Sequence, residues 1–295
     1  MSNSLAALTL SALSTPLQRR VRKQLAADPT LSLSSVDVLA GLLRAIGERG
    51  SIDARKLEHA VQQALIQERR CRELGIQVVA AGDPAFPFQL REAPIRPFLL
   101  FAQGDISFLT PPSIAVAGNR KASDWAVQSA FALGRSLAER GRPVVSGLAF
   151  GVDTAAHQGC LDAGGKTAAV LAHGLDRIYP AANRELAAAI VERGGCLLSE
   201  YPPGEPPRPR RFVERDRIQS GLSAALIVVE TSSDGGSMHT ARFAKAQGRP
   251  VACLMQRQAD AENASGNIEL VERNGARAIR SGAELDAFLE STARP

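Results

Sequence analysis

Apolar residues recur at helical spacing through the first 75 positions, in PLQRRVRKQLAA, SVDVLAGLLRAIGERG and DARKLEHAVQQALIQERRCRELG, and no convincing strand pattern interrupts them. This predicts a small helical module over 1–75. From 76 to 112 the texture changes to short extended segments, six prolines and few helix signals, so this stretch is expected to be a connecting segment packed on the domain after it. Beyond Ser113, short β-branched runs alternate with amphipathic stretches, the pattern of a parallel α/β sheet over 113–295. Strands are expected in SIAVA, PVVS, TAAVLA, CLLS, AALIVV, PVACLM and ARAI, and helices over 123–140, 153–163, 183–193, 212–220 and 238–247. Gly141, Gly164, Gly194 and Gly248 stand where a left-handed residue closes a helix.

In an open parallel sheet, ligands bind outside the carboxyl ends of the strands. Those ends read GNRKAS, GLAFGVD, HGLD, EYPPGEPPRPRR and ETSSDGGSMHT, rich in glycine, hydroxyl and guanidinium, as suits an anion held by backbone N–H groups. In the first loop, Arg120 and Lys121 follow Gly118 and Asn119 at a helix start, where cations are disfavoured by a few tenths of a kcal/mol. Ser123 as cap and Asp124 offset part of that, Gly118 lets the backbone approach a phosphate, and Arg120 projects toward it. GLAFGVDTAAH adds a second glycine-rich turn with Gly147 and Gly151, Asp153 as the expected helix cap, and His157 one turn on. In PPRPRRFVERDR, five arginines fall within ten residues. With Arg210, Arg211 and Arg217 for phosphates and Phe212 for a base, these are the ingredients of a single-strand surface. Glu214 and Asp216 argue the other way, toward a self-neutralising helix face. Gly236 and Ser237 open the last loop of the series.

Composition adds little to this and removes much. A chain of 295 residues, 45% of them hydrophobic, can bury a large core. It has no run of about 18 apolar residues and no secretory signal at its start, so the expected location is cytoplasmic, with no membrane partner. Cys71, Cys160, Cys196 and Cys253 are too scattered for a zinc ribbon or a disulfide scaffold. The net charge of +5 points mildly to an acidic partner, although only five of the 35 basic residues are lysines, a genomic bias as much as a functional one. A dinucleotide fingerprint needs two glycines beyond Gly118, and GGKT at 164–167 is no phosphate loop because Gly159 is one residue too far away and a strand comes next. With no G-x-S-x-G elbow, no H-E-x-x-H and no metal spacing, no catalytic residue, metal or cofactor is expected, and the chain reads as a binding protein rather than an enzyme.

Taken together, AGNRKAS, VVSGLAFGVDTAAHQGCLDAGGKTAAVLAHGLDRIYPAANREL, LLSEYPPGEPPRPRRF, RIQSGLSAALIVVE and GSMHTARFAKAQGR resemble the DprA/Smf family of DNA-processing proteins, over about 75–285. The resemblance implies an extended Rossmann-like fold with a mostly parallel sheet, and a variant of the family's SAM-like helical domain in front of it. It further implies a homodimer that binds single-stranded DNA in a basic pocket, protects incoming DNA and helps load RecA recombinase in natural transformation. By matched position, Arg120 is the arginine of the family's Gly-Ser-Arg loop, Phe212 the aromatic beside the arginine-rich helix, and Arg217 the second arginine of Arg-Asn-Arg-Ile. The expected DNA contacts are therefore Gly118, Asn119, Arg120, Lys121, Gly147, Gly151, Arg210, Arg211, Phe212, Arg217, Gly236 and Ser237. Three departures stand out: Asn119 for serine, Phe150 for the arginine of Gly-Leu-Ala-Arg-Gly, and Asp216 for asparagine. The winged helix that many members carry after this domain is not expected within 283–295. Loss of cations at Phe150 and Asp216 keeps open a sensor of a free nucleotide on the same fold, and a third reading has the protein acting through a protein partner.

Overall fold

The strands β3 (Ser113–Ala117), β4 (Val144–Ser146), β5 (Thr167–Leu171) and β6 (Cys196–Ser199) are buried at every position. Such uninterrupted burial belongs to parallel strands covered on both faces. The computed structural model describes residues 3–13, 17–18, 20–21, 23–24, 34–46, 54–91, 93, 96–109, 113–256 and 263–292. With β7 (Ser223–Val228), β8 (Val251–Leu254) and β9 (Arg277–Ile279), these strands form a parallel array in the order β6-β5-β4-β3-β7-β8-β9. From β3 the chain steps outward to β6, then returns to lay β7 on the other side of β3, with Ala115 beside Leu226. The switch in strand order therefore falls between β3 and β7, whose tips flank the adjoining crevice, with those of β4 and β5 next in the row.

The segment 76–112 is more than a connector. Its two apolar runs are β1 (Gln77–Ala80) and β2 (Leu99–Gly104), which extend the sheet to nine strands. Both pair antiparallel, β1 to β2 and β2 to β6 with Phe101 opposite Ser199. The prolines lie outside the paired runs, so they cost no ladder hydrogen bonds.

Alternate residues of each strand feed opposite cores. One face, through Leu99, Phe101, Ala169, Leu171 and Leu197, meets the N-terminal helices α1 (Asn3–Ala12), α2 (Val36–Ile46) and α3 (Ala54–Glu73). Further along that face Ile114, Val116 and Ile227 meet α4 (Asp124–Glu139) and α5 (Val152–Asp162). α6 (Arg184–Glu192) also lies there, in the N-terminal part. The opposite face carries α7 (Pro209–Gly221), α8 (Ser237–Ala246) and α9 (Ser265–Asn274). α10 (Gly282–Ser291) returns to the first face through Leu285 and Phe288. The four glycines expected to close helices all have φ between 65° and 78°. Among the described residues, no helix is long and apolar enough to cross a membrane.

Candidate nucleic-acid interface

α7 begins at the crevice, with Pro209 in its first turn, where a missing N–H costs nothing. Phe212 is thereby set beside the β3 loop. The exposed Arg120 guanidinium lies 4.8 Å over its ring centre, and Tyr179, from the loop after β5, stands 5.7 Å away on the tilted side. Tyr179 is 47% exposed and Phe150, on the loop after β4, is 50% exposed. Arg120, Phe212 and Tyr179 thus form one patch at the mouth. Lys121, Arg208 and Arg210 are exposed as well.

The glycines serve packing rather than an open approach. A Cβ on Gly118 would lie within 3 Å of three Val152 side-chain atoms, and one on Gly147 would overlap the Arg215 guanidinium. One on Gly151 would strike the Asn119 carbonyl and lie 2.7 Å from that of Arg120. Sequence alone registers the need for small residues but not whether protein or ligand fills the space. Gly236 is open, with nothing within 4 Å of its notional Cβ, while Ser237 is buried.

The arginine-rich run is also more self-contained than its sequence suggests. Arg217 is buried and paired with Glu200, not at the mouth; it lies five residues beyond Phe212, roughly 7.5 Å down the helix axis. Arg211 pairs with Glu205 and stacks 4.5 Å over Tyr201, and Arg210 meets Glu214 at 2.9 Å one turn on. Arg215 is enclosed, with its NH1 donating to Gln219 Oε1 at 2.6 Å and its Nε 3.6 Å from Asp216 Oδ1.

Beneath the mouth lies a buried polar floor. Asp153 is not the expected helix cap: it accepts the Gly147 and Ala149 amides, at 3.1 and 3.2 Å. Burial raises its pKa and Arg215 opposes the shift. Burial also draws Asp216 up to about 6, with Arg215, Thr240 and Arg120 opposing and Asp153 reinforcing. His157 is fully enclosed, 2.7 Å from Thr167 Oγ1, and burial followed by Arg215 pushes it down to about 3; it is a neutral core group.

The awkward placement of Arg120 and Lys121 is resolved by a residue that carries no local signal in the sequence. Glu230, the acid shortly after β7, is buried and accepts Ser123 N at 3.0 Å, Ser123 Oγ at 2.5 Å and Asn119 Nδ2 at 3.4 Å. Ser123 in turn caps α4 through Ala126 N. An internal carboxylate thus occupies the helix N-terminus where nucleotide-binding folds of this kind seat a phosphate. Glu230→Ala is expected to cost about 2–3 kcal/mol, read as an earlier denaturant midpoint, because the Ser123 and Asn119 donors would lose a charged acceptor.

With the sheet and crevice described, the class of protein is defined. Residues 77–290 match the profile of the DNA recombination-mediator protein A family, and the chain belongs to that family. It is 34% identical over 264 residues to the DNA processing protein DprA of Bacillus subtilis, covering 88% of this chain and 86% of the relative. Against the DprA of Streptococcus pneumoniae the identity is 38%, over 70% of this chain and 72% of the relative. The X-ray structure of the pneumococcal protein superposes with a TM-score of 0.77 at 30% identity, over 97% of this chain and 98% of the other. A Helicobacter pylori DprA structure, described for its single-stranded DNA binding mode, gives 0.66 at 29%, over 74% and 97%. The chain spans about half of some longer relatives, 54% of the Smf protein of Synechocystis and 47% of that of Escherichia coli.

Proposed function

We propose that this protein binds single-stranded DNA at the crevice mouth and acts as a non-catalytic recombination mediator. The observation that carries this is the exposed Arg120 guanidinium stacked on Phe212 beside Tyr179. A fixed cation over a ring, with a second ring alongside, meets a phosphate and an unpaired base together, and stacking adds about 1–3 kcal/mol per base. Lys121, Arg208 and Arg210 extend the positive track. Phe150, at the position of the arginine in the family's Gly-Leu-Ala-Arg-Gly pattern, adds a further ring to the rim. The Helicobacter relative's binding mode supports the choice of strand. Occupation of the α4 N-terminus by Glu230 argues against a free nucleotide's phosphate being seated there. Homodimerisation and transfer of the strand to RecA complete the proposal on the strength of family membership.

The test is fluorescence anisotropy with oligo-dT and with a duplex of equal length across a salt series. Single strands are expected to bind more tightly. Arg120→Ala is expected to lose about tenfold or more in affinity and to lower the slope of log affinity on log salt by about 0.7. Equal binding of duplex, or an unchanged slope in the variant, overturns the proposal. Light scattering with and without RecA reads the assembly.

A further inference from the structure

We infer that Asp216 sets the strand affinity of this protein by taking up a proton when a phosphodiester enters the crevice, an inference that rests on the function proposed above. Asp216 stands on α7 at the position of the asparagine in the family's Arg-Asn-Arg-Ile pattern, and its side chain is 12% exposed. The groups that face it come from four places. Arg215, on the same helix, approaches to 3.6 Å, and its guanidinium packs on Gly147, whose amide donates to Asp153 from α5; Thr240 comes from the first turn of α8, and Arg120, from the loop above, lies 4.8 Å over Phe212, one helical turn before Asp216. Arg217, the other neighbour on α7, is committed to Glu200. His157 lies against Arg215 and is uncharged. The floor therefore holds two carboxylates against one enclosed guanidinium, and Arg120 at the mouth supplies the second positive charge.

A phosphodiester bound to Arg120 draws on that second charge. The floor is left with an excess negative charge in a site where water screens poorly, and adding a proton is the least costly relief. Burial raises both carboxyls, but at Asp153 the Gly147 and Ala149 amides point at the carboxylate and oppose the rise, whereas Asp216 is met by side chains. Burial already draws Asp216 up to about 6. The bound phosphodiester raises it further. The direction comes from linkage: the bound state holds more protons than the free state, so affinity rises as pH falls.

The full chain and oligo-dT suffice for the test, between pH 6 and 8 at constant salt. Affinity is expected to be about tenfold higher at pH 6 than at pH 7.5, as uptake of about one proton per site requires. The isosteric Asp216→Asn variant is expected to bind at pH 7.5 about as tightly as the parent at pH 6. Calorimetry of the unaltered protein near pH 7, in buffers of unlike ionisation enthalpy, reads the proton directly. Oligo-dT binding that is indifferent to pH and buffer, or an Asp216→Asn protein that keeps the parent's slope, overturns the inference alone. A chain that binds no oligonucleotide at any pH overturns the function on which it rests.

Discussion

Arg217→Ala is expected to cost the fold about 3–5 kcal/mol, a fall of about 5–8 °C in melting temperature by calorimetry. The guanidinium and its partner Glu200 are side chains only 9% and 12% exposed, so truncating one leaves the other's charge in a poorly solvated site. Replacing both together, Arg217→Met with Glu200→Leu, is expected to recover most of the loss. An additive double variant would show that the two do not act as a pair. The contrast with Arg120→Ala is the informative part. Arg120 is exposed, so its removal is expected to leave the melting temperature within a degree or two while strand binding falls. Two arginines matched to the family by the same motif reasoning are thus expected to separate, the buried Arg217 into a fold role and the exposed Arg120 into the binding role proposed above.

Gly151→Ala is expected to damage both fold and binding. At φ 71° and ψ −120° the backbone is in a region that residues with a Cβ rarely adopt, at a cost of about 1–3 kcal/mol. The added methyl also meets the carbonyls of Asn119 and Arg120, so the loop bearing Arg120 must move. The expected outcome is a melting temperature lower by several degrees and an oligo-dT affinity lower by about tenfold. Gly164→Ala is the control: its φ is 72°, but nothing lies within 4 Å of the new atom. It should show the backbone cost alone, with binding unchanged.

Most of the parallel strands are legible in the sequence because burial on both faces writes them as continuous apolar runs; β9, with Arg277 exposed, is the faint one. Five helices emerge from spacing and glycine caps. The 76–112 segment is harder, since its prolines obscure two short runs whose partners, β2 for β1 and β6 for β2, declare themselves only in three dimensions. At the site, Arg120 and Phe212, taken from separate motifs in the sequence, lie together in the fold. Tyr179 escapes motif reasoning, although it sits in the stretch LDRIYPAAN at a strand tip. Glu230 escapes it for a related reason: a single acid after an apolar strand gives no local sign that it will span to Ser123 and Asn119. Counting arginines overstates the positive track, because Glu200 and Glu205, just ahead of the run, fold back to pair with Arg217 and Arg211.

One side of the sheet owes its dryness to α1–α3, which lie over Leu99, Phe101, Leu171 and Leu197, and α3 also sends Arg70 to Asp176 in the loop that bears Tyr179. A fragment trimmed to residue 77, where the family match starts, would uncover an oily slab beside the strand tips and release that tether. The leading helices are a roof rather than an accessory, and preparations that omit them would report on a stickier molecule than the one the cell makes.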